Sequence, residues 1–292
     1  PLFITRQNLK PCYDRRDNFC IFNEGENRKK VFIVGDSQLS AFQEVLRNEL
    51  ENSEYELITM LNPGCYYLPY FNQVDRISKN VKERCDITVQ QNRKKMLDAN
   101  PGSIIIFGGR LPLYLEEVWF DNREGGIEPS KLPDGLLDWY FEPENLKTTS
   151  LDERNTLIRN SIRNSLIDLL DADHRVIIIY PVPPVGVDVS KETYRIYLSG
   201  LFKFNNSILD VIDISTSYDI IKERFNSSYE ILDNINHKNL KRVYPETILC
   251  NSYIQNRCAT NDGKTLFYYD DDHLSIPGAE LILNSIINEI EK

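Results

Sequence analysis

Ser37 stands in Val34-Gly35-Asp36-Ser37-Gln38, directly after the apolar run 31–34. His273 stands in Tyr269-Asp270-Asp271-Asp272-His273-Leu274-Ser275, near the other end of the chain. A serine hydroxyl is a poor nucleophile until a base lies within hydrogen-bond reach and a third group holds that base. All three parts are present, in the chain order Ser…Asp…His. Nucleophilic acyl transfer is the chemistry they allow, with Ser37 as attacker, His273 as general base and Asp270 as the group that orients the imidazole. Residues spaced i, i+3 share one face of a helical turn, so Asp270 is expected to reach the ring while Asp271 and Asp272 point elsewhere, either raising its basicity as nearby charges or binding nothing.

Four short, continuous apolar runs, 31–34, 55–60, 104–107 and 176–180, read as strands buried on both faces. Helical spacing recurs between them. Leu39, Phe42, Val45, Leu46 and Leu50 form one apolar stripe, and Leu157, Ile158, Ile162, Leu166 and Leu169 form another within 152–172. A third helix is expected over 218–235, a strand over 241–244, and a last helix from Pro277-Gly278 carrying Leu281, Ile282, Ile286 and Ile290. This alternation predicts an α/β fold, a central parallel sheet covered by helices on both sides. Reactive groups of such sheets collect at the C-terminal strand ends, where Ser37, Gly64, Gly108 and Gly109 fall. With no repeat and no Gly/Ser linker, one domain is expected over 31–292, preceded by an N-terminal extension (1–30) that wraps onto it. An irregular insertion, 111–150, is expected to overhang the edge that carries Ser37. Its Trp119 and Trp139 suit stacking on sugar rings, or a small core of the loop's own.

A net charge of -10 on 292 residues, with no long Lys/Arg run, excludes a nucleic-acid surface and otherwise reads as a solvated acidic exterior. No run approaches the ~20 apolar residues of a membrane span. The first residue is Pro1, as expected of a processed product or an excised piece of a larger protein. Six cysteines fall in three local couples, Cys12 with Cys20, Cys65 with Cys85 and Cys250 with Cys258, although fifteen pairings are formally open. Disulfides in an oxidising compartment are expected, with reduced buried thiols as the alternative. Metal binding is not expected, because C-x-x-C knuckles are missing and the three histidines are far apart. His174 and His237 read as surface residues at element ends. No glycine fingerprint with a lysine is present, and no cofactor is expected.

The serine lacks the second glycine of a Gly-x-Ser-x-Gly elbow. The chain instead resembles the SGNH (GDSL-type) hydrolases, with Gly35-Asp36-Ser37 after the first strand and Asp270-x-x-His273 near the C-terminus. It is most similar to the extracytoplasmic SGNH domain fused behind acyltransferase-3 membrane proteins. Asp270-Asp271-Asp272-His273-Leu274-Ser275 followed by Gly278-Ala279, the Asn62-Pro63-Gly64-Cys65 turn and the Cys250…Cys258 couple carry that likeness. The resemblance implies a three-layer, flavodoxin-like sandwich and a periplasmic or cell-surface location. It also implies O-acyl transfer, commonly acetyl, to an envelope glycan such as lipopolysaccharide, with the acyl group brought by a membrane portion that is not part of this chain. An oxyanion hole of the Ser37 and Gly64 N–H groups is implied, and Asp36 is a candidate substrate contact.

One departure stands out. SGNH enzymes carry Gly-x-Asn after the third strand, whereas this chain has Gly108-Gly109-Arg110. Arg110 is therefore expected either to aid the oxyanion or to hold the acidic insertion. The same triad also serves a carbohydrate acetylesterase, and a glycan-binding domain without catalysis is the third reading.

Overall fold

Alternate side chains of a strand face opposite sides of its sheet, so a strand with helices on both sides must be apolar throughout. The computed structural model, which describes residues 19–148, 150–199 and 214–292, bears this out. Its elements, in chain order, are β1 (Cys20–Phe22), β2 (Lys29–Gly35), α1 (Ser40–Glu49), β3 (Tyr55–Leu61), β4 (Phe71–Asp75), α2 (Ile87–Asp98), β5 (Ile104–Gly108) and α3 (Leu111–Glu116). They continue with β6 (Trp139–Pro143), α4 (Leu151–Asp171), β7 (Arg175–Ile179), α5 (Val189–Leu198), β8 (Ser215–Ser217), α6 (Tyr218–Leu232), β9 (Leu240–Val243), α7 (Pro245–Leu249), β10 (Arg257–Ala259) and α8 (Ile276–Ile290).

The main sheet runs β1-β3-β2-β5-β7-β9, parallel except for the antiparallel edge strand β1. Phe32, Val34, Ile105, Phe107, Val176 and Ile178 pack on one face with Ile158, Ile162 and Leu166 of α4 and Leu232 of α6. Val31, Ile33, Ile104, Ile106, Ile177 and Ile179 pack on the other with Phe42, Val45 and Leu46 of α1 and Ile282, Ile286 and Ile290 of α8. The result is the expected three-layer α/β sandwich. Burying a Val, Leu or Ile side chain contributes roughly 1.5–3 kcal/mol, so these two cores dominate the stability.

The helices begin where local chemistry allows. Ser150 caps α4 by accepting from the Glu153 N–H at 3.1 Å, and Ser275 caps α8 through the Gly278 N–H at 3.1 Å. Gly278 has to be glycine, because a Cβ there would lie 2.1 Å from the Phe267 carbonyl oxygen. Part of the expected extension belongs to the sheet, since β1 pairs Cys20 to Thr59 and Phe22 to Leu57.

Two expectations need correction. The insertion 111–150 is not simply irregular: it opens with α3, and its β6 pairs antiparallel with β4, Phe71 opposite Pro143 and Asp75 opposite Trp139. His174 is not a surface residue but fully buried. Its Nδ1 accepts the Ser103 N–H at 3.1 Å, and burial lowers its pKa despite that bond. His237 is half-buried just beyond α6, with Nδ1 accepting the Asn239 N–H.

Cys65–Cys85 and Cys250–Cys258 are closed as disulfides. Cys20 is disulfide-bonded and buried, while Cys12 lies outside the described residues. Cys65–Cys85 ties the turn after β3 to the start of α2, across a sequence separation of 20. Replacing both cysteines by Ala should lower the unfolding free energy by about 3 kcal/mol. Urea denaturation checks this, and an unchanged midpoint would mean that the bridge does not constrain the unfolded chain.

Candidate active site

The chain leaves β2 through Gly35, whose Cβ, if present, would lie 2.2 Å from the Gly108 carbonyl oxygen of the neighbouring strand. Asp36 follows, almost wholly buried. One carboxylate oxygen accepts the Gln38 N–H at 2.9 Å, while the other accepts the Arg110 N–H at 2.8 Å and the Tyr114 hydroxyl at 2.5 Å. Burial raises its pKa, and these three donors work against that rise. Three donors hold the Asp36 carboxylate, which braces the turn that presents Ser37 at the cavity edge. Gly109 allows the close approach: its φ is 136°, and a Cβ would meet the Asp36 carboxylate at 2.8 Å.

Gln38, whose type and spacing carry no functional signal, is buried next to Ser37 in the chain. Its side chain accepts the Val182 N–H at 3.3 Å and donates to the Asp272 carbonyl at 3.4 Å, joining the Ser37 turn to the loop that carries His273. Arg93 of α2, fully buried, performs a similar service on the other side. Its guanidinium donates to the Gly35 carbonyl at 3.3 Å and the Cys65 carbonyl at 3.0 Å, binding the end of β2 to the Gly64 turn. Gly64 takes a φ of 64°, a backbone conformation glycine adopts without strain.

Residues 270–273 are not helical. Asp270 instead folds the chain around its own carboxylate, accepting the Asp272 N–H at 3.1 Å and the His273 N–H at 2.8 Å. The same carboxylate lies 2.9 and 3.0 Å from His273 Nδ1, and His273 Nε2 lies 2.8 Å from Ser37 Oγ. Ser37, Asp270 and His273 therefore meet, from positions more than two hundred residues apart in sequence. An Nδ1 that faces carboxylates carries the proton, which leaves Nε2 to accept from the serine hydroxyl.

Asp272 departs from expectation. It does not point away: its Oδ1 lies 3.0 Å from His273 Nδ1, and its Oδ2 lies 3.4 Å from Arg110 Nε. Burial favours the neutral acid, but Arg110 and His273 outweigh it and lower the Asp272 pKa. For His273, burial opposes the charge, yet Asp272 and the hydrogen bonds of both aspartates hold its pKa well above the ordinary value. Burial, with the charges of Asp272, Glu128 and Asp270, pushes Asp271 up to about 7. Asp270, Asp272 and His273 bring donor atoms within 4.8 Å of one another.

The guanidinium of Arg110 also forms an ion pair with Glu128 of the insertion and lies 5.6 Å from the Trp119 ring. Ser37, Gly64, Arg110, Trp119, Trp139 and His273 border one cavity of about 640 Å³. Trp119 is half-buried, whereas Trp139 is 5% exposed and packs on Tyr114 and Phe141. A second cavity of about 480 Å³, among Arg28, Lys30 and Arg175, lies at the opposite strand ends and holds none of the candidate residues.

Fold and site together define a parallel α/β sandwich with a serine, a histidine and two carboxylates assembled at its C-terminal strand ends. The model of the family described as the SGNH domain fused to AT3 domains matches residues 7–287, and the chain belongs to that family. Among solved structures, it is similar to the periplasmic domain of the Salmonella ser. Paratyphi A lipopolysaccharide acetyltransferase. The TM-score is 0.57 at 18% identity, over 92% of this chain and 85% of that one. A putative acylhydrolase from Bacteroides fragilis matches with a TM-score of 0.41 at 12% identity, over 91% of this chain and 88% of that one. An acetyl xylan esterase matches with the same score and identity, over 89% of this chain and 99% of the other. No curated protein matches the chain.

Removing the Asp36 carboxylate strands three buried donors, and each unsatisfied group costs about 1–3 kcal/mol. Asp36→Ala should therefore lower the denaturation midpoint sharply, and Asp36→Asn, which keeps one acceptor oxygen, should fall between it and the native chain. A native-like midpoint for the alanine variant would show that Asp36 is no brace.

Proposed function

We propose that this domain transfers an acyl group, acetyl by preference, to a hydroxyl of a bacterial envelope glycan through an acyl-enzyme on Ser37. The observation that carries the reading is the continuous contact Ser37 Oγ–His273 Nε2 at 2.8 Å and His273 Nδ1–Asp270 at 2.9 Å. His273 removes the Ser37 proton as Oγ attacks the carbonyl carbon of the donor. The tetrahedral oxyanion rests on the Ser37 and Gly64 N–H groups. His273 then gives its proton to the leaving group, and the ester on Ser37 remains. In the second half, His273 takes the proton of a sugar hydroxyl, that oxygen attacks the ester, and Ser37 recovers its proton. Arg110, engaged with Glu128 and Asp272, takes the holding role of the two weighed for it, and the oxyanion falls to the backbone donors.

Several features support the transferase form. The family is fused to AT3 domains, which suits a membrane portion that supplies the acyl donor. The acceptor class follows the lipopolysaccharide acetyltransferase to whose periplasmic domain the chain is similar. The disulfides, among them Cys65–Cys85 and Cys250–Cys258, suit an extracytoplasmic compartment, and no helix among the described residues is long and apolar enough to cross a membrane. Half-buried Trp119 on the cavity wall offers a sugar ring an apolar face, backed by the buried Trp139. In this reading residues 31–292 form the catalytic unit, with the 111–150 insertion as its acceptor-side wall and 1–30 as an extension.

Ser37→Ala should lower turnover of an activated acetyl ester by about 10⁴-fold or more, since members of a triad act as a unit. Incubation with that ester and candidate glycans separates the readings: acetylated glycan supports transfer, and free acetate alone supports the esterase. Unchanged glycan modification in cells carrying Ser37→Ala would leave only the non-catalytic reading.

The pH profile is a further check. The base must be neutral, and its pKa is raised, so kcat/KM should climb with pH and reach its inflection above the ordinary imidazole value of about 6.5. An inflection at or below that value would contradict the electrostatics of the site.

A further inference from the structure

We propose that Asp272 is a second positioning residue for His273, sharing the Nδ1 hydrogen bond with Asp270 and held in turn by Arg110, which Glu128 of the insertion anchors. The inference rests on His273 acting as the base. Its geometry is independent of any substrate: Asp272 Oδ1 lies 3.0 Å from Nδ1, Asp272 Oδ2 lies 3.4 Å from Arg110 Nε, and another guanidinium nitrogen pairs with Glu128.

The two aspartates differ in what else holds them. Asp270 is anchored by backbone N–H groups of its own loop, and its side chain is 24% exposed. The Asp272 side chain is 7% exposed, and a carboxylate so buried needs a paired charge. Arg110 supplies it, 11% exposed itself, with Trp119 beside its guanidinium. With two carboxylates within 3.0 Å of Nδ1, loss of one still leaves the ring a partner.

The arrangement also sets the ring's charge balance. The charged groups that line the cavity with the imidazole are Asp270, Asp271 and Asp272 of its own loop, Asp36 from the β2 turn and Arg110 from the start of α3. Asp188 and Lys191 from the start of α5 and Arg84 across the cavity complete the set, and Glu128 from the insertion pairs with Arg110. Of the cations, Arg110 alone contacts an aspartate that contacts the ring. It offsets a carboxylate that would otherwise make His273 too reluctant to give up its proton. The insertion reaches the base through Glu128 and Arg110.

The test is an NMR titration of the imidazoles, simple to assign because the chain has three histidines, alongside the pH profile of kcat/KM for an activated acetyl ester. Asp272→Asn keeps the size and removes the charge, leaving Arg110 near the ring. The His273 midpoint should fall by about one unit or more, a tenfold rise in the neutral fraction, and the kinetic inflection should move with it. Arg110→Gln should move both the opposite way, and Arg110→Lys, which keeps the charge, should restore them. The opposite signs are the signature of the chain of contacts, and Arg110→Gln carries the test alone should Asp272→Asn fold poorly. A merely structural ion pair would lower the melting temperature in these variants and leave the midpoint where it was, which overturns the proposal. If Ser37→Ala abolishes turnover while the midpoint stays put, this inference alone fails. If Ser37→Ala remains active, the triad reading fails, and the NMR midpoints still decide whether Asp272 holds the ring.

Discussion

A buried carboxylate at the end of β2 fixes where Ser37 stands. Asp36 cannot remain charged away from water without donors, and the three it finds come from three places: its own turn through Gln38, the β5 exit through Arg110 and α3 through Tyr114. Satisfying Asp36 therefore sets the direction of Ser37 relative to the neighbouring loops. The glycines at this edge follow from the same closeness. Gly35 lies under the Gly108 carbonyl and Gly109 against the Asp36 carboxylate, and a side chain at either would push the strands apart.

On the other side of the nucleophile the constraint is electrostatic. Asp270, Asp271 and Asp272 are consecutive, and such a run repels itself unless each charge has a distinct outlet. Asp270 spends its charge on two backbone N–H groups and the imidazole. Asp272 spends its charge on Arg110 and the imidazole. Asp271 has neither outlet, and its carboxyl is the one pushed up. The loop is pinned from outside by the Val185 N–H on the Asp271 carbonyl at 2.8 Å and by the Tyr268 hydroxyl on the Pro183 carbonyl at 2.8 Å. His273 is thus placed by backbone contacts, while side-chain carboxylates raise its pKa.

How much of this was legible depended on how local the physics was. The parallel strands were, because burial on both faces leaves an unbroken apolar run in any context. The stripe of α4 was too, within one residue at each end. The β4–β6 ribbon was not: neither strand has a partner nearby in sequence, and the aromatic-rich 111–150 stretch reads as loop until Phe71–Asp75 lies beside it. His174 misled because Asp171 and Asp173, exposed neighbours, made its surroundings look wet, while the ring turns inward to the Ser103 N–H. In the site, the identities of Ser37, Asp270 and His273 could be read from type and spacing. The contact of Asp272 with the ring could not, because the i, i+3 spacing reads as a helical turn where an Asp-centred loop exists. Gln38 and Arg93 left no signal, since their work is to reach carbonyls of other segments.

The Gly108-Gly109-Arg110 departure is best understood through its backbone. In the family pattern this position offers an asparagine amide to the oxyanion. Here the Arg110 N–H is committed to Asp36 at 2.8 Å, and its guanidinium runs towards Glu128 and Asp272. A guanidinium between two carboxylates has little to gain from turning to a transient oxyanion, because turning would leave both acids buried and unpaired. Under the proposed mechanism, this position would balance the charge around His273 rather than stabilise the developing charge on substrate. A site that keeps two acids against one imidazole needs a fixed cation close by, and the residue after Gly109 is where the fold can place one.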